Sequence, residues 1–332
     1  MINHGFWKQL KKPIFAIAPM ADVTDAAFRR MIATYGKPDV MWTEFVSCDG
    51  LCSRGKDALI QDLIYDERER PIIAQVFGAN PEHFYRTAQL LQELGFDGID
   101  INMGCPDKNI QKQNAGAKLI QNPKLAQEII RETKRGAGKL PVSVKTRIGY
   151  VKNTIDEWLP YILETEPAAI TIHGRTKKEM SDVPAHWDVI ARGVEMTKRY
   201  YGEKDRPFVL GNGDVQTLEE AFQKVREYGV DGVMVGRGLF GNPWFFADMD
   251  AMKSGTEVRS QEIPLRQKMS VMLEHTELFE RLFGENKRFD VMKKHYKAYV
   301  HGFDGAKELR VKLMAARNTE EVRKTLCKEG YL

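Results

Sequence analysis

A single cysteine follows an apolar run at residues 101–120, INMGCPDKNIQKQNAGAKLI. Cys105 lies between Gly104 and Pro106, two residues that favour a tight turn. A thiol can donate a proton near neutrality, because a reference pKa of about 8.5 keeps most of it protonated. A buried, unreactive thiol is the alternative, since free cysteine is among the most buried residue types. A position just beyond a strand, at a functional face, would favour the proton donor.

Two further ionisable residues lie inside apolar runs. Lys145 belongs to PVSVKTRIG and His173 to AAITIHGRT. An inward lysine is costly to bury unless an anion or a polar cofactor accompanies it. Together with Gln75 and Asn102, these side chains would form a ring of donors with one cation. Such a ring suits a planar heterocycle that becomes anionic when it is reduced, as a flavin does.

Structural roles remain open for the same two residues. Lys145 could instead form a salt bridge with Asp100 or Glu44. His173 could be a hydrogen-bonded histidine of the core. The strands that carry these residues decide between the alternatives, because only side chains at the same end of a sheet can meet.

Two glycine-rich turns have the composition of an anion site. They are GNGD at residues 211–214 and GRG at residues 236–238. Glycine lets backbone N–H groups approach an anion closely, and Arg237 adds a cation. Tight turns without a ligand use the same residues. The first turn does not begin a GxGxxG dinucleotide motif, because the sixth position is Gln216.

Eight short apolar runs alternate with amphipathic segments and must position these residues. Their starts are 25 to 43 residues apart, which leaves room for one helix in each connection. The pattern predicts an α/β chain with a (β/α)8 TIM barrel, followed by a small C-terminal all-helical domain. A doubly wound open sheet is the alternative architecture, but it does not predict so regular a count of strand and helix units. The runs are PIFAIAPM from 13, VMWTEFV from 40, PIIAQVFG from 71, GIDINMGCP from 98, PVSVKTRIG from 141, AAITIHGRT from 168, PFVLGNGDV from 207 and GVMVGRGLF from 232.

In such a barrel the functional face lies at the C-terminal ends of the strands. Polar residues at these ends are therefore expected to form one site although they are far apart in sequence. They are Met20, Ala21, Glu44, Gln75, Asn102, Cys105, Lys145, Arg147, His173, Arg175, Asn212, Asp214, Gly236 and Arg237.

The last quarter of the chain differs from the rest. Its apolar periodicity predicts helices in PLRQKMSVMLEHTELFERLFGE, NKRFDVMKKHYKAYVHG and GAKELRVKLMAARNTEEVRKTLCKEG. We predict a barrel domain over 1–252, a linker near 253–264 and a helical domain over 255–332. Residues 253–332 hold 17 Lys and Arg against 12 Asp and Glu, whereas the preceding residues hold 33 against 34. This basic excess favours a polyanionic partner, although a solvated helical surface would show the same balance.

Composition limits the class of protein. The 332 residues are 42% hydrophobic and 29% charged, which is typical of a packed globular chain. No run reaches the ~18 apolar residues of a membrane span, and no signal-type block precedes the barrel, so we expect a cytoplasmic protein without a membrane partner. The four cysteines are too scattered for a disulfide framework, and the Cys48/Cys52 pair lacks the partners of a zinc site, so no metal is expected.

A series of motifs resembles, in order, that of the tRNA-dihydrouridine synthases. The motifs are APMADVTDAAFR, QVFG, DINMGCPDKNIQKQNAGAKL, VKTRIG, ITIHGRT, GNGDV, GVMVGRGLFGNPW and KKHYKAYVHG. The resemblance covers about residues 13–310. It implies an FMN-binding barrel, a helical RNA-binding domain, NADPH (or NADH) as the reductant, and reduction of the uridine C5=C6 bond in tRNA.

The resemblance also implies roles for single residues. Cys105 matches the catalytic acid, which would give the uridine C5 its proton while reduced flavin N5 gives C6 a hydride. The expected cofactor-binding residues are Pro19, Met20, Ala21, Gln75, Asn102, Lys145, His173, Asn212, Gly213, Asp214, Gly236 and Arg237. The expected tRNA contacts are Arg147, Arg175, Lys293, Lys294, Lys297 and Arg310. No obligatory protein partner is evident.

Two segments depart from the family pattern. Family members often have a small residue at the position of Asp22. After HGRT they usually have a Gln or Arg, Tyr and Gly pattern, whereas this chain has KKEMSDVPAHW. Three rival functions are a dihydroorotate dehydrogenase-like flavoprotein, a flavin-containing protein that folds tRNA without catalysis, and a non-redox barrel that binds a sugar phosphate. The first does not explain a basic helical domain, and the third predicts a colourless protein.

Overall fold

Eight parallel strands form a closed barrel in the computed structural model, which describes residues 1–258, 262–284 and 286–332. Neighbouring strands pair in the order β1-β8-β7-β6-β5-β4-β3-β2, and a bridge between Ala16 and Val40 joins β1 to the β2 end. The barrel confirms the predicted fold class and excludes the open sheet. The strands are β1 Ile14–Ile17, β2 Met41–Ser47, β3 Ile72–Phe77, β4 Gly98–Met103, β5 Val142–Arg147, β6 Ala169–His173, β7 Phe208–Asn212 and β8 Gly232–Val235.

The strand register brings the polar strand ends together. Asn102 pairs with Lys145 across β4 and β5. Arg147 pairs with His173, and His173 pairs with Asn212 on the next strand. Because these partners lie at the carboxyl ends of adjacent strands, residues that are more than 100 positions apart meet on one face.

Helices cover the outside of the barrel, and several begin at capping residues that the sequence supplies. Asp25 accepts a hydrogen bond from Phe28 N–H, and Thr217 accepts one from Glu220 N–H. Gly229 ends its helix in the left-handed conformation at φ +66°. The helices up to the barrel's end are α1 Ala26–Tyr35, α2 Cys48–Leu51, α3 Lys56–Ile60, α4 Pro81–Glu93, α5 Lys108–Lys112, α6 Pro123–Ala137, α7 Ile155–Leu163, α8 Trp187–Tyr201, α9 Leu218–Tyr228 and α10 Met249–Lys253.

Four helices follow, α11 Leu265–Phe283, α12 Met292–Tyr299, α13 Ala306–Ala315 and α14 Thr319–Lys328. The third predicted helical segment is two helices, because Asn318 caps a new helix by accepting from Glu321 N–H. These helices share a hydrophobic core with Ala26, Ala27 and Met31 of α1. The domain boundary therefore stays a prediction, and part of the predicted linker, 259–261, lies outside the described residues. None of the helices described is both long and apolar enough to cross a membrane.

Candidate active site

A cavity opens at the C-terminal ends of the strands, where the sequence predicts the site. It brings together nine of the predicted cofactor residues, as well as Arg147. Its lining residues are Ala18, Pro19, Met20, Lys145, Arg147, His173, Ser181, Asn212, Gly213, Asp214, Val215, Gln216, Met234, Gly236 and Arg237. Six of the predicted strand-end and cofactor residues lie outside this lining: Ala21, Glu44, Gln75, Asn102, Cys105 and Arg175.

Lys145 is the cation at the base of this cavity. Its Nζ donates to Asn212 Oδ1 at 3.2 Å, and Asn212 Nδ2 donates to Met234 O at 2.8 Å. Burial, reinforced by the Arg147 charge, lowers the pKa of Lys145 to about 8. The ammonium has three donors and one neutral protein acceptor, so it retains the capacity to bind an anionic or carbonyl oxygen of a ligand.

Neither of the alternative salt bridges of Lys145 is present in the described structure. The carboxylate of Asp100 accepts from Gln75 Nε2 and Ser143 Oγ, both at 2.6 Å. Glu44 Oε2 lies 2.9 Å from Lys287 Nζ, which belongs to the segment between α11 and α12. The charge of Lys145 is therefore directed to the cavity rather than to a protein carboxylate.

His173 lies beside this lysine in the cavity lining. Burial lowers the pKa of His173 well below its ordinary value, and the positive charges of Arg147 and Lys145 lower it further. The imidazole is therefore neutral near pH 7 and can donate or accept a hydrogen bond. Its position in the cavity wall, rather than in the apolar core, removes the core-histidine alternative.

The glycine-rich turn after β7 holds the carboxylate of Asp214 between two arginines. Asp214 Oδ2 forms a salt bridge with Arg175 and accepts from Ala185 N–H at 2.8 Å, while Asp214 Oδ1 lies 3.1 Å from Arg237 Nη2. Gly213 adopts φ +131°, and a Cβ there would lie 2.7 Å from Ala185 Cβ. The turn is thus fixed and glycine-dependent, with the half-exposed Arg237 at the cavity edge.

Arg175 is buried beneath the loop that follows β6. It is 3% exposed, and its Nε donates to Val183 O at 2.5 Å. This contact holds the atypical loop closed against the barrel. Glu179 strengthens the closure, because it accepts from Thr176 N–H at 2.7 Å and lies 3.1 Å from His186 Nε2.

A chain of buried hydrogen bonds supports the turn that carries Cys105. Gln75 Nε2 donates to Asp100, and Asn102 Nδ2 donates to Gln75 Oε1 at 2.9 Å. Asn102 Oδ1 then accepts from Gly104 N–H at 3.1 Å and from Cys105 N–H at 2.9 Å. The amides of Gln75 and Asn102 therefore orient the cysteine turn from below, a role that the sequence does not reveal because it depends on strand register.

The segment after Cys105 folds back onto it. Ala117 N–H and Gln111 Nε2 donate to the Cys105 carbonyl at 3.1 and 2.7 Å. A Cβ on Gly116, which adopts φ +61°, would lie 2.9 Å from the same carbonyl oxygen. The backbone of Cys105 is thus held on both sides, while its side chain remains partly exposed.

The surroundings of the Cys105 thiol keep it protonated. Burial raises its pKa above the ordinary value. The backbone N–H of Asp107 lowers this pKa while the Asp107 charge raises it, and the charges of Arg147 and Lys145 lower it. The thiol therefore carries its proton near pH 7, and the two cations reduce the cost of the thiolate that forms when the proton leaves.

Arg147 connects this turn to the loop after β6. Its Nε donates to Gly104 O at 2.7 Å, and its Nη1 donates to Thr176 O at 3.0 Å. Arg147 as a whole residue is 8% exposed, and it also lines the cavity. Arg147 therefore lies at the junction of the cavity, the cysteine turn and the atypical loop.

The four predicted RNA contacts of the helical segment have different environments. Lys293 Nζ lies 2.6 Å from Asp290, and Lys294 Nζ lies 2.9 Å from Asp22. Arg310 Nη1 donates to Val300 O at 2.6 Å and so caps the end of α12, whereas Lys297 is exposed. The atypical Asp22 thereby gains a contact, because it anchors α12 to the loop after β1.

A second ion-pair contact joins the segment between α11 and α12 to the barrel, and no pattern in the sequence predicts it. Lys287 Nζ lies 2.7 Å from Asp62 Oδ1 as well as 2.9 Å from Glu44. These carboxylates raise the pKa of Lys287, although burial alone would lower it. The residues are more than 200 positions apart, so no local pattern could have shown their contact.

Fold and cavity together define a TIM-barrel protein with a cationic pocket for a polar cofactor and a protonated thiol beside it. Comparison with known proteins identifies the family. The model of the dihydrouridine synthase family matches residues 16–331, and the chain belongs to that family.

Two relatives illustrate the likeness. The probable tRNA-dihydrouridine synthase 2 of Bacillus subtilis (strain 168) is 39% identical over 98% of this chain and 96% of its own length. The probable tRNA-dihydrouridine synthase of Staphylococcus aureus (strain COL) is 39% identical over 98% of this chain and 95% of its own. Among solved structures, morphinone reductase superposes with a TM-score of 0.51 at 10% identity, covering 75% of this chain and 87% of that one, which supports the barrel fold.

Proposed function

We propose that this protein is an FMN-dependent tRNA-dihydrouridine synthase, which uses NADPH, or NADH, to reduce the C5=C6 bond of uridines in tRNA. Membership of the family supports the reaction, and the relatives' names support tRNA as the substrate. The observation that carries the proposal is the fixed, protonated Cys105 beside a cavity whose cation, Lys145, has no carboxylate partner among the described residues. A tRNA substrate would place the enzyme in the cytoplasm.

The charge and the hydrogen-bonding groups of the cavity suit an FMN. The buried ammonium of Lys145 and the neutral His173 suit the polar edge of the flavin ring. Gly213 and Gly236 leave room for a phosphate to approach the backbone, and Arg237 supplies a cation at the same edge. Pro19, Met20, Ala21, Gln75, Asn102, Asn212 and Asp214 complete the proposed cofactor-binding set.

The proposed chemistry divides between the cofactor and the chain. Bound FMN, once reduced by NADPH or NADH, would supply a hydride to the uridine C6. Cys105 supplies the proton to C5, so its S–H bond breaks as the new C–H bond forms. The positive charges of Arg147 and Lys145 stabilise the thiolate until water restores the proton, and the hydrogen bonds from Asn102 hold the turn in place.

The proposed RNA-binding part is the helical domain at 255–332. A folded tRNA stacks its bases, so the target uridine must leave the stack to enter the barrel mouth. Backbone and shape contacts by a basic domain would hold the tRNA during that step. The candidate contacts of this domain remain Lys293, Lys294, Lys297 and Arg310, and Arg147 and Arg175 are candidates nearer the cavity. Lys297 is the candidate best placed to meet a phosphate, because it is exposed and has no salt bridge within the described ranges.

Replacement of Cys105 tests the proposal. Cys105→Ala should keep bound yellow flavin and NADPH oxidation, and should lose dihydrouridine formation, because only the proton donor is removed. Cys327→Ala, at an exposed thiol far from the barrel mouth in sequence, is the matched control and should behave as the natural protein. Full dihydrouridine formation by Cys105→Ala would remove the proton-donor role. A colourless natural protein, or tRNA with unchanged dihydrouridine content in a strain lacking the gene, would overturn the function itself.

A further inference from the structure

A second polar surface lies beside the cavity, on the loops after β5 and β6 and on the segment after Cys105. The ammonium groups of Lys118 and Lys177 lie 5.4 and 5.3 Å from the centre of the same ring, that of Tyr150. Val151 and Met180 are 56% and 43% exposed in the same two loops. We call these five residues the barrel-mouth patch.

The charges of the barrel-mouth patch are not neutralised by carboxylates. Lys118 Nζ donates to the neutral Gln121 Oε1 at 2.8 Å, and neither Lys118 nor Lys177 forms a salt bridge within the described ranges. The candidates Lys293 and Lys294 on α12 both do. Within the described ranges, positive charge without a carboxylate partner therefore lies on the barrel as well, although the net basic excess lies in the last quarter of the chain.

The backbone holds the two loops of the barrel-mouth patch in one conformation. Lys177 N–H donates to Gly149 O at 3.0 Å, and Lys178 N–H donates to Tyr150 O at 2.9 Å. A Cβ on Gly149 would lie 1.9 Å from Lys152 O, so the turn that presents Tyr150 requires glycine. A surface fixed before binding loses little conformational entropy when a ligand binds.

Short covalent and hydrogen-bonded connections place the patch next to the reacting thiol. Lys118 directly follows Ala117, whose N–H donates to Cys105 O at 3.1 Å. Lys177 directly follows Thr176, whose carbonyl accepts from Arg147. The barrel-mouth patch is therefore connected directly to the segments that hold the Cys105 turn.

We propose that the barrel-mouth patch binds the RNA nucleotides that flank the target uridine. The ring of Tyr150 is half-buried, and the ammonium groups of Lys118 and Lys177 lie over it. When these two flexible side chains turn from the ring to contact phosphates, the ring can receive an unpaired base. The exposed Val151 and Met180 extend the apolar surface. The atypical loop after β6 contributes two of the five residues, so this chain's departure from the family pattern becomes part of its RNA contact. The inference rests on the proposed function, since it takes RNA as the substrate.

The stacking contact is tested with the full-length, flavin-loaded protein and an unmodified tRNA transcript. Tyr150→Ala should weaken binding about 5- to 150-fold, as expected for one lost base–aromatic stack of ~1–3 kcal/mol. Tyr150→Phe should bind within about two-fold of the natural protein, because the ring is retained. NADPH oxidation without tRNA should be unchanged in both variants, since the patch lies outside the cofactor cavity, and this measurement also shows that the variants are folded.

The phosphate contacts have a separate signature. Lys118→Gln combined with Lys177→Gln should reduce the slope of log affinity against log salt by about 1.4, because each contact with a single strand contributes about 0.7. Lys139→Gln, at an exposed lysine before β5 and so at the other end of the barrel, is the matched control and should leave the slope unchanged.

Two results would overturn the inference. The first is an affinity for tRNA that is the same in Tyr150→Ala and Tyr150→Phe. The second is a salt dependence of tRNA affinity that is the same in the combined Lys118→Gln and Lys177→Gln variant as in Lys139→Gln. In either case dihydrouridine formation by the natural protein would leave the proposed function standing. Absence of tRNA binding and of dihydrouridine formation in the natural protein would instead defeat the proposed function.

Discussion

Asp25 is a buried carboxyl group whose replacement tests the electrostatics near the barrel mouth. It is 1% exposed; its Oδ1 accepts from Phe28 N–H at 2.9 Å, while its Oδ2 has no partner in the described structure. Burial, followed by the nearby charge of Glu44, raises its pKa from 3.8 to about 7. Asp25→Asn keeps a side-chain oxygen that can cap α1 and removes the titration.

The sign of the effect follows from linkage. Between pH 3.8 and about 7 the folded protein holds a proton on Asp25 that the unfolded chain does not, so the free energy of unfolding falls as the pH rises through this window. The full shift corresponds to ~4 kcal/mol, and about 2–3 kcal/mol of it falls between pH 5 and pH 7.5. The free energy of unfolding of Asp25→Asn, relative to that of the natural protein, should therefore rise by ~2–3 kcal/mol between pH 5 and pH 7.5.

Urea unfolding of both proteins at pH 5 and pH 7.5 measures this difference. Asp66→Asn is the matched control, because Asp66 also caps a helical turn but its hydrogen bonds with Arg68 lower its pKa to about 2. Its effect on the free energy of unfolding should be the same at both pH values, since the carboxylate is ionised throughout. An equally constant difference for Asp25→Asn would refute a raised pKa at Asp25.

Two further predictions concern the ion pairs of Lys287 and the hydrogen bonds of Asn102 within the cysteine turn. Lys287→Met should lower the free energy of unfolding by about 2–4 kcal/mol, because it leaves Glu44 and Asp62 without their shared cation. The control, Lys8→Met, breaks an exposed pair and should lower the free energy of unfolding by at most about 1 kcal/mol. Equal losses for the two variants in thermal or urea unfolding would contradict this reasoning. Asn102→Ala should reduce dihydrouridine formation about ten-fold or more, because two hydrogen bonds to the cysteine turn are lost. Asn102→Asp keeps an acceptor for both N–H groups and should restore part of the rate, and equal rates for the two variants would exclude this positioning role.

Local pattern predicts most of the fold. Each of the eight apolar runs corresponds to one strand, with β2 extending one residue beyond its run, because the runs are short, most begin or end near Gly or Pro, and their spacing accommodates helices. The helical segments are predicted equally well, apart from the break at Asn318 between α13 and α14. A capping residue inside a continuous amphipathic pattern is a weak signal beside the hydrophobic period, which explains this difference.

The candidate site is predicted less completely. The strand ends place Lys145, His173 and Asn212 at one face, and the cavity contains them. Arg175 stays a predicted RNA contact, but the sequence does not show that it lies beneath the loop after β6, where its Nε donates to Val183 O. An arginine beside a strand has the same local sequence whether it faces solvent or a folded loop, so only the packing of that loop decides.

The sequence by itself determined the number and order of the strands and the types of side chain at their ends. These depend on hydrophobic periodicity and turn residues, which act over a few positions. Only the tertiary structure decided the partners of those side chains: the chain of hydrogen bonds from Asp100 to the Cys105 turn, the contact of Lys287 with Glu44, and the two lysines over Tyr150. Such contacts form between residues that are distant in the chain, and strand register and helix packing set their distances.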